Sequence, residues 1–168
     1  MKKSSISVCF LLVTALVQAA DSSVEEKIKV IRGRYAEIEA DLKNYRQVKR
    51  DLPGESTEGG ELTAYLKDSS VRKLSAKFFG ESGKALEEYY FWENQLFFVL
   101  RVDSAYTKPM SGVVKNKTEE RYYFAGGKLI QWLDADKKPH ALDAEAQKRG
   151  QELLAEAKKY SARIEDRR

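Results

Sequence analysis

Glu87 and Glu120 stand at the same place in two related stretches, each two residues ahead of a Tyr-Tyr-Phe run: EYYFWENQLFF at 88–98 and RYYFAGGKLIQ at 121–131. Two carboxyl groups flanking a bond are the apparatus of glycoside hydrolysis, one protonating the leaving oxygen while the other acts as base or nucleophile. A duplicated hairpin, however, duplicates its glutamate whether or not it is used, and a partner Lys or Arg for each is the ordinary outcome. The single histidine, His140, follows Pro139 just ahead of a helical segment, a setting that suits a loop or capping role. With no second histidine, and with Cys9 in the leader, the usual zinc ligand sets and Cys-His or metal-histidine catalysis are excluded. No G-x-S-x-G elbow, alternating-acid calcium loop or phosphate-cradling glycine loop occurs. The chain reads as non-catalytic, with no metal and no cofactor.

Binding chemistry is better represented. Tyr90, Trp92, Tyr123 and Trp132 offer flat aromatic surface for sugar rings or a protein partner, and Arg101 and Arg121 offer charge-assisted hydrogen bonds. The competing reading is cross-strand packing, where tyrosine and tryptophan are common.

These side chains need a sheet to bring them together. Six short strands are predicted, at 61–67, 71–80, 84–92, 95–104, 117–125 and 128–134, joined by short turns rich in Asp, Ser, Gly and Asn. Short connections imply antiparallel neighbours and a meander, with one longer excursion at 105–116 around Pro109 and Gly112. A central turn at Glu93-Asn94 pairs Phe91 with Leu96, Tyr89 with Phe98 and Glu87 with Leu100. A type I′ turn at Gly126-Gly127 pairs Phe124 with Leu129, Tyr122 with Gln131 and Glu120 with Leu133. These pairs, with Leu74, Ala76, Phe78 and Val102, make the expected core face. The opposite face then carries Tyr65, Phe79, Tyr90, Trp92, Phe97, Tyr123, Ile130 and Trp132, among Lys73, Lys77, Glu88, Arg101, Glu119 and Arg121. A fully solvated face would be plainer in its polarity, so something covers it.

Two helices are available as that cover. Val24, Ile28, Ile31, Tyr35, Ile38, Leu42 and Tyr45 recur at steps of four and three, predicting a long helix over 22–50, capped by Ser22 or Ser23 and stopped by Pro53-Gly54. A second helix is predicted over 143–164, with Arg149 and Gly150 interrupting its apolar stripe. The narrow seam of the first also suits homodimerisation through that helix. The fold class is α+β in a single domain spanning residues 20–168.

Lys2 and Lys3, an apolar run from Ile6 to Val17 and small residues before Asp21 read as a secretory signal peptide, residues 1–19, cleaved after Ala19. Lipidation at Cys9 is disfavoured because Ile6-Ser7-Val8 lacks the small residue such processing needs. Removing the leader leaves 28 basic against 26 acidic residues, about +2, and no cysteine. That balance does not point to nucleic acid, and no further run is long enough to span a membrane. Export without disulfides suits a bacterial envelope, periplasmic or secreted.

At EEYYFWENQLFF and EERYYFAGGKLI the chain resembles small secreted bacterial proteins with aromatic β-hairpin repeats, and is loosely similar to the MORN-variant repeats, in which short hairpins stack side by side. The likeness covers residues 59–134, departs from that pattern in lacking its regularly spaced glycines outside Gly126-Gly127, and supplies no catalytic residue. The expected function is non-catalytic binding of an envelope glycan, peptide or protein through the aromatic face. The alternative is an inhibitor or accessory protein of a secreted hydrolase that presents the 105–116 loop.

Overall fold

Three hairpins of one design build the sheet. In the computed structural model, which describes the backbone of residues 9–165 and side chains from Ser23, the elements are α1 (Cys9–Asp41), β1 (Arg46–Asp51), β2 (Gly60–Lys67), β3 (Ser70–Gly80), β4 (Gly83–Trp92), β5 (Gln95–Tyr106), β6 (Val114–Ala125), β7 (Lys128–Leu133) and α2 (Ala144–Glu165). Residues 1–8 of the expected leader lie outside the described residues, as do the side chains around Cys9 and Ala19. Among the described residues no helix is long and apolar enough to cross a membrane.

All seven strands form one antiparallel sheet in sequence order, so the fold is α+β with a meander at its centre. The six expected strands are β2 to β7. The seventh, β1, replaces the end of the expected 22–50 helix: α1 stops at Asp41, a single 3-10 turn covers Leu42–Asn44, and the chain turns extended at Tyr45. Asn44 Nδ2 donates to Asp41 Oδ1 at 2.6 Å, holding that turn. Beyond Tyr45 a helix would have only Val48 to bury, whereas a strand pairs Arg46–Asp51 with Glu61–Leu66 and satisfies the backbone of β2.

The hairpin tips Asp68-Ser69, Glu93-Asn94 and Gly126-Gly127 all have positive φ at both residues, the type I′ geometry whose twist matches that of the strands. Each is followed by a one-residue bulge, at Arg72, Phe97 and Ile130, which the sequence pattern had not revealed. Phe91 pairs with Leu96 and Phe124 with Leu129, as expected. Past the bulge the partner changes: Tyr89 meets Val99, Glu87 meets Arg101, and Tyr122 meets Trp132. Every side chain of β5 and β7 beyond the bulge is thereby moved to the other face. Phe98, Leu100 and Val102 leave the expected core face, and Arg101 and Trp132 join it.

Each face has its own core. On the first, Leu74, Tyr89, Phe91, Val99, Tyr122 and Phe124 pack under α2 with Leu153, Ala157, Tyr160 and Ile164. On the second, Tyr90, Phe97, Phe98 and Tyr123 pack under Ile28, Ile31 and Ile38 of α1. The α1 stripe that could have served as a dimer seam is therefore spent on the protein's own sheet. Asp143 caps α2, its Oδ1 accepting from the Ala146 N–H at 2.9 Å.

Gly150 does not interrupt the α2 stripe; it is buried on it. A Cβ there would meet Leu129 Cβ at 2.9 Å, closer than side chains tolerate. Helix propensity favours Gly150→Ala by about 1 kcal/mol, but the overlap lies against an atom fixed to the β7 backbone and overpacking costs about 1–3 kcal/mol. Gly150→Ala is expected to lower the urea midpoint, and Gly150→Val to lower it further. A midpoint raised by Gly150→Ala would show that α2 does not approach β7 this closely.

Candidate functional site

The six side chains expected to share a binding face do not share one. Tyr90, Trp92, Arg121 and Tyr123 lie on the second face, whereas Arg101 and Trp132 lie on the first, moved there by the bulges at Phe97 and Ile130. Tyr90 and Tyr123 are fully buried beneath α1. Trp92 is half-buried, with the guanidinium groups of Arg34 and Arg72 at 5.1 and 4.9 Å from its ring centroid. Arg121 is held by Glu119, and Arg101 by Asp103 and Glu87. Trp132 is stacked between Tyr122, at 5.2 Å, and His140, at 4.0 Å, which gives the lone histidine a packing role in its loop. The aromatic set is thus the glue between sheet, helices and loop.

The same local arrangement recurs on both faces. The Tyr90 hydroxyl lies 2.9 Å from Glu88 Oε2, two residues back on its own strand, and 2.9 Å from Glu39 Oε1 of α1. The Tyr89 hydroxyl lies 2.6 Å from Glu87 Oε2 and 3.0 Å from Glu156 Oε2 of α2. A phenol has one proton to donate, so each cluster needs further positive charge or a further proton. On the α1 side Lys73 supplies it: the ammonium is 2.8 Å from both Glu39 and Glu88. Burial works against its charge, but the two carboxylates outweigh burial and raise its pKa above the usual lysine value.

On the α2 side Leu74 stands across from Tyr89, where Lys73 stands across from Tyr90. Arg101 reaches Glu87 at only 3.4 Å and is engaged by Asp103 at 2.9 Å. Burial, aided by the nearby Glu156, pushes the Glu87 carboxyl above its ordinary value, although the Tyr89 hydrogen bond, Arg101 and Arg149 oppose the shift. Glu87 and Glu120 flank Arg101 in one cross-strand row, Glu87–Arg101–Glu120. Two strand spacings separate them, about 10 Å, and the arginine lies where a glycosidic oxygen would have to enter. Glu120 in turn accepts from Tyr122 at 2.9 Å. This geometry suits helix attachment better than acid–base catalysis. Among the described residues no cluster of three or more His, Cys, Asp or Glu is placed to hold a metal ion.

The accessible surface lies elsewhere. From its N-terminal part toward Asp41, α1 crosses β7, β6, β5 and β4 and ends at β2, over the hairpin-tip half of the sheet. The other half of the second face is a trough of about 580 Å³ lined by Phe79, Leu86, Val102 and Val114, with Lys77, Lys84 and Lys117 around it. Phe79 and Val114 are 38 and 42 % exposed. Among the described residues Lys84 and Lys117 form no ion pair, and Lys77 has only a 3.8 Å contact to Glu61. The sequence carried a signal for this surface: strands of ten to twelve residues run about 33–40 Å, and one crossing helix about 10 Å wide leaves much of such a face bare. Comparison with protein-family models, curated proteins and solved structures gives no match to this chain.

Two measurements probe the α2 clamp. Glu87 has a folded pKa raised above its unfolded one, so its contribution favours folding below the ordinary glutamate range and is lost as pH rises through the folded value. Thermal melts from pH 4 to 8 are expected to show stability of the wild type falling relative to Glu87→Gln as pH rises; parallel curves would overturn the assignment. Tyr89→Phe removes a hydrogen bond to a buried charged group and should cost about 2 kcal/mol in urea unfolding. A loss below about 0.5 kcal/mol would show that the hydroxyl does not hold the helix.

Proposed function

We propose that this is a non-catalytic binding protein of the bacterial envelope, periplasmic or secreted, and that its ligand is an acidic, partly apolar peptide segment of another protein. The observation that carries this reading is the half-covered second face: an exposed apolar floor at Phe79 and Val114 beside Lys84 and Lys117, which have no ion-pair partner among the described residues. Apolar surface left open beside one sign of charge is the signature of a binding patch. A peptide is favoured over a glycan because Tyr90 and Tyr123, the rings best suited to stack on sugars, are buried under α1.

A second reading rests on a separate observation. Met110 and Val113, 70 and 60 % exposed, stand on the 107–113 loop, which backbone hydrogen bonds from Met110 to Glu81 and from Thr107 to Val113 hold in one shape. A shaped loop with an apolar tip suits an inhibitor of a secreted hydrolase. That role predicts inhibition of a cell-wall hydrolase by the wild type and its loss in Met110→Asp; no inhibition across a panel of such enzymes would remove it.

For the favoured reading, fluorescence anisotropy with a labelled peptide of alternating Glu and Leu should show saturable binding, absent for the Lys/Leu counterpart. Lys84→Glu and Phe79→Ser should each weaken it about tenfold, the equivalent of about 1.4 kcal/mol. Equal binding of the two peptides, or no effect of either substitution, would overturn it.

A further inference from the structure

The sheet has one long backbone edge that nothing covers. β6 pairs with β5 from Val114 to Tyr123, but β7 takes its other edge only over Arg121–Ala125. Over Val114–Glu120 the outer edge of β6 has no partner among the described residues; it is regular from Asn116 on, past a bulge at Lys115, and residues 114–118 are exposed. The β7 edge, by contrast, is occupied by the returning chain, with a bridge between Leu133 and Pro139 and a 2.8 Å bond from the His140 N–H to the Trp132 carbonyl. An open run of alternating N–H and C=O groups is a template for another strand.

The side chains on that edge select which strand. Its N-terminal half carries Lys115 and Lys117 and its C-terminal half Glu119 and Glu120. Antiparallel pairing of this segment with a copy of itself sets the basic half of each chain against the acidic half of the other. A two-fold axis perpendicular to the sheet allows only registers in which one residue faces its own copy, because opposed side chains must lie on the same face. Centring on Lys117 would put two ammonium groups opposite each other, which is destabilising. Centring on Thr118 sets Lys117 opposite Glu119 twice and Asn116 opposite Glu120 twice, and the pairing ends where each copy's β7 begins. Glu119 is prepared for a second cation: both Arg121 contacts fall on its Oε1, at 2.6 and 2.7 Å, and no partner is found for Oε2 among the described residues. The β1 edge has no such self-complementarity, since centring on Val48 opposes Arg46 with Arg50 and centring on Lys49 opposes that lysine with itself.

We infer that the chain dimerises through β6, edge to edge about Thr118, extending the sheet across the two-fold axis. The axis keeps both second faces on the same side, so the two troughs lie next to each other on one surface. A pairing this short sits at the small end of specific interfaces, so the dimer is expected to be weak, dissociating in about the micromolar range.

Sedimentation equilibrium of the full chain, over concentrations spanning that range, tests the inference together with charge reversal. Lys117→Glu alone sets carboxylate against carboxylate and should weaken dimerisation at least tenfold, as should Glu119→Lys alone. The double reversal K117E/E119K restores opposite charges and should restore the dimer. In a Cys9→Ser background, Thr118→Cys should cross-link under mild oxidation, whereas Asp136→Cys on the exposed loop should not. A monomer at every concentration, a dimer indifferent to both single reversals, a double reversal that fails to recover, or no cross-link at residue 118 above the Asp136 control would each overturn it. Lys117 also borders the trough, so peptide binding is scored in Glu119→Lys, which keeps Phe79, Lys84 and Lys117 in place; loss of the dimer there with peptide binding retained separates the two readings.

Discussion

Adjacent tyrosines on the central strand hold this molecule together in both directions. Tyr89 and Tyr90 point to opposite faces of β4, and each hydroxyl is shared between a glutamate of its own strand and a glutamate of the helix above it. Neighbouring residues of a strand necessarily face opposite ways, so one dipeptide can fasten a helix to each side of a sheet. Both hydroxyls are pushed far above the ordinary tyrosine range, by burial first and by their glutamates next, which favours the protonated, donating phenol. Disturbing the donor costs most at Glu87, the one buried acceptor of the four, because a buried carboxyl that loses its hydrogen bond has no water to replace it.

The two clamps are alike in geometry and unlike in charge. Under α1 the buried Lys73 completes the set, bridging Glu39 and Glu88 and offsetting one of their two negative charges. Under α2 the corresponding place belongs to Leu74, and Glu87 must share a distant, already engaged Arg101 with Asp103. The consequence is an acid whose pKa the fold raises, by burial first. The difference comes from the hairpin design itself: one residue of register decides whether position 73 or 74 sits beside the cluster, and therefore whether a lysine or a leucine does.

Most of the architecture was legible from pattern. Strand periodicity, turn residues and helical spacing located β2 to β7 and α2 closely, and the turn-proximal pairs Phe91–Leu96 and Phe124–Leu129 were correct. What escaped was a single physical feature met three times. A bulge adds a residue without altering the hydrophobic alternation visible over a few positions, since Phe97-Phe98 and Leu129-Ile130 offer an apolar side chain to either face. On β5 and β7 everything inferred about faces beyond those points inverted, which separated Arg101 and Trp132 from the supposed binding set, whereas the faces assigned on β3 held. β1 was hidden for a different reason: Tyr45 continued the helical stripe by one more step, and only the unpaired backbone of β2 required the chain to extend there. The partners Glu39 and Glu156 look like ordinary solvated helix glutamates and had no sequence signal of their own.

The placement of the α1 clamp decides where a ligand can reach the second face. Lys73 and Lys77 lie on the same strand and the same face, one turned into the Glu39–Glu88–Tyr90 cluster and almost wholly buried, the other half open to solvent. A helix fastened at Lys73 cannot also shield the rows of Leu86 and Phe79 farther along the strands. Had the second face been meant only as core, the economical solution would be shorter strands or polar residues in those rows. The chain instead continues β5 and β6 to twelve residues each and places Phe79, Leu86, Val102 and Val114 there, bordered by lysines. A long sheet clamped at one end and left apolar at the other stays open to solvent at Phe79 and Val114, and it is on that open end that the proposed peptide site rests.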